Sequence, residues 1–193
     1  IMEGGAGIDE LIEAGDADFT LSDDSLITDD GSPETDQLVG VENADLTGGE
    51  SDNTIDASEF GGDATISGGE GDDQLTGGGG ADVIDGGDGD DVMNGGEGND
   101  SLHGGGGADN LQGAGGDDMI NAGGDADMID GGHGVVATLA VNLVGPGATV
   151  ELVIAGSAKQ VIVAVTAVDH VDATATDDRV VKAAAGNRVA ATA

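Results

Sequence analysis

The sequence predicts an all-β fold, a parallel β-solenoid, on three observations. From Gly68 to Asp130 one nine-residue pattern runs seven times without a break: GGEGDDQLT, GGGGADVID, GGDGDDVMN, GGEGNDSLH, GGGGADNLQ, GAGGDDMIN, AGGDADMID. Each unit opens on small residues, has an acid at place six and a single aliphatic residue at place eight. The chain as a whole sets 40 acids against four bases, a net charge of −36, and contains 39 glycines.

The strands follow from the aliphatic places, Leu75, Ile84, Met93, Leu102, Leu111, Ile120 and Ile129. One apolar residue in nine cannot make an amphipathic helix, which needs apolar residues three and four apart. It can make a very short strand with place eight facing in and places seven and nine facing out. The glycines between are suited to tight turns, because only Gly enters positive φ freely. Two units then close one coil of eighteen residues, and stacked coils give two parallel sheets around a thin aliphatic core.

So slim a core does not offset the cost of ordering a Gly-rich backbone. The place-six acids, Asp73, Asp82, Asp91, Asp100, Asp109, Asp118 and Asp127, also repel one another. A cation in the turns answers both problems. The donors on offer are carboxylates and backbone carbonyls, which suit calcium, a hard ion taking six to eight oxygens. The chain has no Cys and three His, which disfavours zinc and softer metals, and magnesium wants tighter octahedral geometry. Asp residues one coil apart stack in two columns, Asp73-Asp91-Asp109-Asp127 and Asp82-Asp100-Asp118, giving five adjacent pairs.

The pattern resembles the G-G-x-G-x-D-x-U-x repeat of RTX, or haemolysin-type, proteins, which form right-handed calcium-bound β-rolls. The resemblance implies a ligand set for each ion. Carbonyls of places two and four join the Asp of one unit; carbonyls of places one and three join the Asp of the unit one coil on. Carried over, the first site takes Gly69, Gly71, Asp73, Gly86, Asp88 and Asp91, and the second Gly78, Gly80, Asp82, Gly95, Glu97 and Asp100. The third takes Gly87, Gly89, Asp91, Gly104, Gly106 and Asp109, and the fourth Gly96, Gly98, Asp100, Gly113, Gly115 and Asp118. The fifth takes Gly105, Gly107, Asp109, Ala122, Gly124 and Asp127, and it departs from the pattern at Ala122 and Asp125.

On either side the period blurs, so the chain is read as degenerate coils over 1–67, the calcium roll over 68–134, and a Val/Ala-rich flank or cap over 135–193. Gly4–Ile12 matches every specified place, but as an isolated unit without a stacked partner; its Asp9 reads as a half-site or a join to a preceding repeat. From Phe19 to Ser67 short apolar pieces between acidic turns suggest continued coils in parallel register, with Phe60 as core filler and Asn53 at place six of a degenerate unit. After Asp130 the runs Leu139-Val141-Leu143, Val150-Leu152-Ile154 and Val161-Val163-Val165 read as strands, with a turn at Gly145-Pro146-Gly147. Arg179 and Arg188 stand at place six of two late units, where a cationic side chain could replace the metal.

Charge disfavours a nucleic-acid partner, and no apolar run is long enough to span a bilayer. Identical repeating turns do not separate two pKa values, so the paired carboxylates are not read as catalytic, and the chain is not expected to be an enzyme. His103 falls at an outward place and is read as exposed. The expected function is a calcium-dependent structural module of a secreted bacterial surface, adhesin or matrix protein, exported by type I secretion as the resemblance implies. The alternatives are the C-terminal folding and secretion module of an exoenzyme or toxin, and a subunit that stacks end to end into a filament.

Overall fold

A computed structural model of the chain describes residues 1–132 and five further strand segments. The strands in order are β1 (Met2–Glu3), β2 (Glu10–Ala14), β3 (Asp18–Ser22), β4 (Ser25–Asp29) and β5 (Glu34–Val39). Then come β6 (Asn43–Thr47), β7 (Thr54–Glu59), β8 (Asp63–Glu70), β9 (Gln74–Thr76) and β10 (Val83–Asp88). The regular repeats continue as β11 (Val92–Glu97), β12 (Ser101–Gly106), β13 (Asn110–Gly115), β14 (Met119–Gly123) and β15 (Met128–Asp130). The last segments are β16 (Leu152–Ala155), β17 (Val161–Ala164), β18 (His170–Ala173), β19 (Arg179–Lys182) and β20 (Arg188–Ala191).

No helix occurs among the described residues; from β6 to β15 successive strands alternate between two parallel sheets in a β-solenoid of about five turns, and β17 pairs with β19 in a third, two-stranded sheet. One sheet runs β14-β12-β10-β8-β6-β2; the other runs β3-β7-β9-β11-β13-β15 and on through β16, β18 and β20. The coil length is eighteen residues: Ile84 lies beside Leu102, and Leu102 beside Ile120. The place-eight column Leu75, Ile84, Met93, Leu102, Leu111, Ile120 and Ile129 is buried throughout, each at most 1% exposed. Val83, Val92, Met119 and Met128 at place seven face outward, as the alternation requires.

The strands are longer than one apolar residue suggests. Val83–Asp88 continues through its two glycines, so that place one also points inward. A Cβ built on Gly86 would strike the Asp91 carboxylate and lie 2.6 Å from the Gly104 carbonyl oxygen. Place-one glycine is therefore set by close approach, not by a turn. Places two and four carry the positive φ, at Gly87 (113°) and Gly89 (140°), for instance.

The N-terminal third departs from the expected parallel coils. β3, β4 and β5 form an antiparallel meander, and β1 adds to its far edge in parallel. Local side-chain bonds turn the chain back: the Ser25 N–H donates to Ser22 Oγ at 3.1 Å, and the Gly31 N–H to Asp29 Oδ1 at 2.9 Å. The meander buries Phe19, Leu21, Leu26 and Leu38 over the end of the aliphatic core. Phe60, buried, fills the core where β7 turns into β8. The predicted strands at 150–154 and 161–165 overlap β16 and β17, with residues 150 and 165 and the run at 139–143 outside the described residues. Arg179 and Arg188 open β19 and β20; their exchange for a metal concerns side chains outside the described residues.

Two units hold the turn with a side chain in the left-handed region, Ala114 at φ 68° and Asp125 at φ 71°. Ala114→Gly should raise the stability of the calcium form by about 1 kcal/mol, measured by urea unfolding. A loss of stability would show that the Ala114 methyl contributes packing that outweighs its backbone cost.

Candidate metal centre

Each place-six aspartate sits where a strand begins, its side chain folded under the turn that precedes it. Asp73, Asp82, Asp91, Asp100, Asp109, Asp118 and Asp127 are all at most 2% exposed. One oxygen of each is committed. Asp91 Oδ1 accepts the Asp73 N–H at 2.8 Å, Asp100 Oδ1 the Asp82 N–H at 2.9 Å, and Asp109 Oδ1 the Asp91 N–H at 2.9 Å. Asp118 and Asp127 do the same for Asp100 and Asp109, both at 3.0 Å. The backbone thus places the acids in the two columns expected, and every carboxylate reaches back to the preceding coil.

The second oxygen divides the turns into two kinds. In Asp73, Asp91, Asp100, Asp109, Asp118 and Asp127, Oδ2 is buried with no hydrogen-bond partner. In all six turns places two and four have positive φ: Gly69/Gly71, Gly87/Gly89, Gly96/Gly98, Gly105/Gly107, Ala114/Gly116 and Gly123/Asp125. Asp82 is of the other kind. Its Oδ2 accepts the Gly78 N–H at 2.7 Å, and neither Gly78 nor Gly80 has positive φ. The cause is the preceding turn, around Phe60–Gly62, which is lengthened: Asn53 and Asp73 stack 20 residues apart, whereas Ala64 and Asp82 stack 18 apart. The Gly79 N–H donates to the Phe60 carbonyl at 2.9 Å, which holds the turn in another conformation. Asn53 behaves like Asp82, its Oδ1 accepting the Gly49 N–H at 2.7 Å. Beside it Asp16 accepts the Ser51 N–H and hydroxyl, which hold its carboxyl below the usual range.

Six buried carboxylate oxygens without partners are a costly arrangement unless something positive meets them. The neighbouring donors fit calcium. Asp73 Oδ2 and the Gly86 carbonyl converge on the space that a Cβ on Gly68 would fill; Asp100 Oδ2 and the Gly113 carbonyl do so at Gly95. Among the described residues no three His, Cys, Asp or Glu side chains gather in one place. An ion here must complete its shell with backbone carbonyls, as calcium does readily. His103 takes no part: its Nδ1 pairs with Asp85 Oδ1 at 3.0 Å on the outer face.

Burial also pushes the carboxyls up, to about 7 at Asp91 and Asp127 and about 6 at Asp100, with Asp73, Asp82, Asp109 and Asp118 raised in the same direction. At Asp91 the charges of Asp109 and Asp73 add to the effect of burial. With the metal-free folded value above the unfolded one, protons bind the folded state more tightly. That contribution is complete below the unfolded value near 3.8 and is lost as pH rises through about 7. In chelator, acidification from pH 8 to pH 5 should therefore increase β-structure by circular dichroism. In calcium the same change should raise the calcium midpoint, because ion and proton compete. A metal-free spectrum unchanged across that range would contradict the burial of these groups.

Neither a curated protein nor a solved structure matches the chain. A family model does match, the RTX calcium-binding nonapeptide repeat (4 copies), at residues 60–93, 67–102 and 103–134. The sequence period, the eighteen-residue coil and the family match agree on the same segment: residues 60–134 match the RTX calcium-binding nonapeptide repeat, and residues 60–132 fold as a β-roll.

Proposed function

We propose that the chain is a calcium-dependent structural module of a secreted bacterial surface, adhesin or matrix protein. One observation supports it most: six of the seven stacked carboxylates of the roll, all but Asp82, keep one buried oxygen with no partner in the protein. A scaffold of this kind is complete only with the ion, so binding and folding are one event. At low cytosolic calcium the self-repelling chain stays expanded and fit for export by type I secretion; in extracellular calcium it stiffens. The repeats themselves carry no catalytic arrangement, and the role is mechanical.

Ions fill the intervals Asp73–Asp91, Asp91–Asp109, Asp109–Asp127 and Asp100–Asp118, with carbonyls of Gly69, Gly71, Gly86, Asp88 and their equivalents completing each shell. The interval Asp82–Asp100 fills last, because the 77–82 turn must first release Asp82 from the Gly78 N–H.

Circular dichroism during calcium titration should show a coil-to-β transition that magnesium does not reproduce; a chelated sample as folded as the loaded one at neutral pH would overturn the proposal. The two kinds of turn predict unequal variants. Asp91→Asn, which weakens two intervals, should raise the calcium midpoint about tenfold or more, whereas Asp82→Asn should shift it far less. Equal shifts would mean that the Asp82 turn is as ready for an ion as the others.

A further inference from the structure

We infer that Asp9 and Glu42 hold one more calcium ion at the N-terminal edge of the solenoid, outside the repeats at 60–134. This rests on the calcium reading of the roll. The unit Gly4–Ile12 is not isolated. Its strand β2 pairs with β6, and its turn lies on the turn Gly40-Val41-Glu42, with the whole antiparallel meander spanned between them.

The turn shares the positive φ and the unpartnered carboxylate oxygen of the six metal turns, in a more open position: Asp9 is partly buried and Glu42 exposed. Gly5 and Gly7, at places two and four, have φ 112° and 140°. Asp9 Oδ2 is closed off from solvent and has no hydrogen-bond partner, unlike Asn53 Oδ1 and Asp82 Oδ2, which their own turns satisfy. A Cβ built on Gly4 would collide with the Gly40 carbonyl and lie 2.7 Å from Asp9 Oδ2, so the same two oxygens converge here as at Gly68. Glu42 supplies the second carboxylate. Its Oε2 accepts the Asp9 N–H at 2.9 Å, the bond that Asp91 makes to Asp73 in the roll. The Asp9 carbonyl in turn accepts the Glu42 and Asn43 N–H groups, both at 3.1 Å.

Glutamate replaces aspartate for a reason of length. In a regular unit the acid follows its place-one glycine by five positions; Glu42 follows Gly40 by two, and the extra methylene lets it reach the same point. The ligands are then Asp9 Oδ2, the Glu42 carboxylate and the carbonyls of Gly5, Gly7 and Gly40, a hard oxygen set of charge −2. No lysine or arginine precedes Lys159 to neutralise it. The ion ties β2 to β6 across the meander, so that calcium closes the N-terminal end as well as the roll.

Native mass spectrometry of the 193-residue chain in calcium counts the ions. Asp9→Asn and Glu42→Gln should each carry one ion fewer than the parent. Hydrogen exchange should show Leu11–Ala14 losing protection in both variants while β10 to β13 keep theirs. An unchanged ion count in either variant, or a loss of more than one ion, overturns the inference. A parent chain that binds no calcium overturns the reading of the roll itself, and this one with it.

Discussion

Everything in the roll depends on one carboxylate serving two coils. Each place-six aspartate spends one oxygen on the backbone of the coil before it, which fixes the stacking register, and leaves the other inside the turn. The bond is short, directional and charge-assisted, and it forces the aspartate beneath its own turn, where water does not reach. Except at Asp82, where the Gly78 N–H meets it, the remaining oxygen then has to be met by a cation. Register and metal demand are thus one feature of one side chain.

The glycines divide the work that this imposes. Place one is bare in six of the seven units, where the aspartate and a carbonyl of the next coil close over it; Ala122 carries a side chain there in the last. In every turn but that of Asp82, places two and four are in the left-handed region, and there the aspartate keeps its second oxygen free of the turn's own N–H groups. Ala114 and Asp125 show that the second requirement tolerates a side chain at a cost, since that backbone is strained but not blocked.

The sheets, the inward column and the two aspartate columns were legible in the sequence because period nine puts a physical constraint at each place. The strand length was not, because glycine reads as a turn residue whether it bends the chain or only lets another chain approach. Nor was the difference between Asp82 and Asp91 visible, since their units match the pattern equally well. That difference comes from the turn stacked beneath, at Phe60–Gly62, which is non-local. Glu42 was missed for the same reason: its partner Asp9 lies 33 residues away, beyond a meander that the apolar pattern could not distinguish from another coil. The signal available was Gly4 and Gly40, two coil lengths apart, each opening a turn that ends in an acid.

Outward places seven and nine carry none of these duties. Val83, Val92, Met119 and Met128 share place seven with Gln74, Ser101 and Asn110, and the backbone beneath them keeps the same coil. The exterior is therefore a blank grid, ruled at the strand spacing of roughly 4.8 Å, on which chemistry can be rewritten row by row while the interior stays untouched.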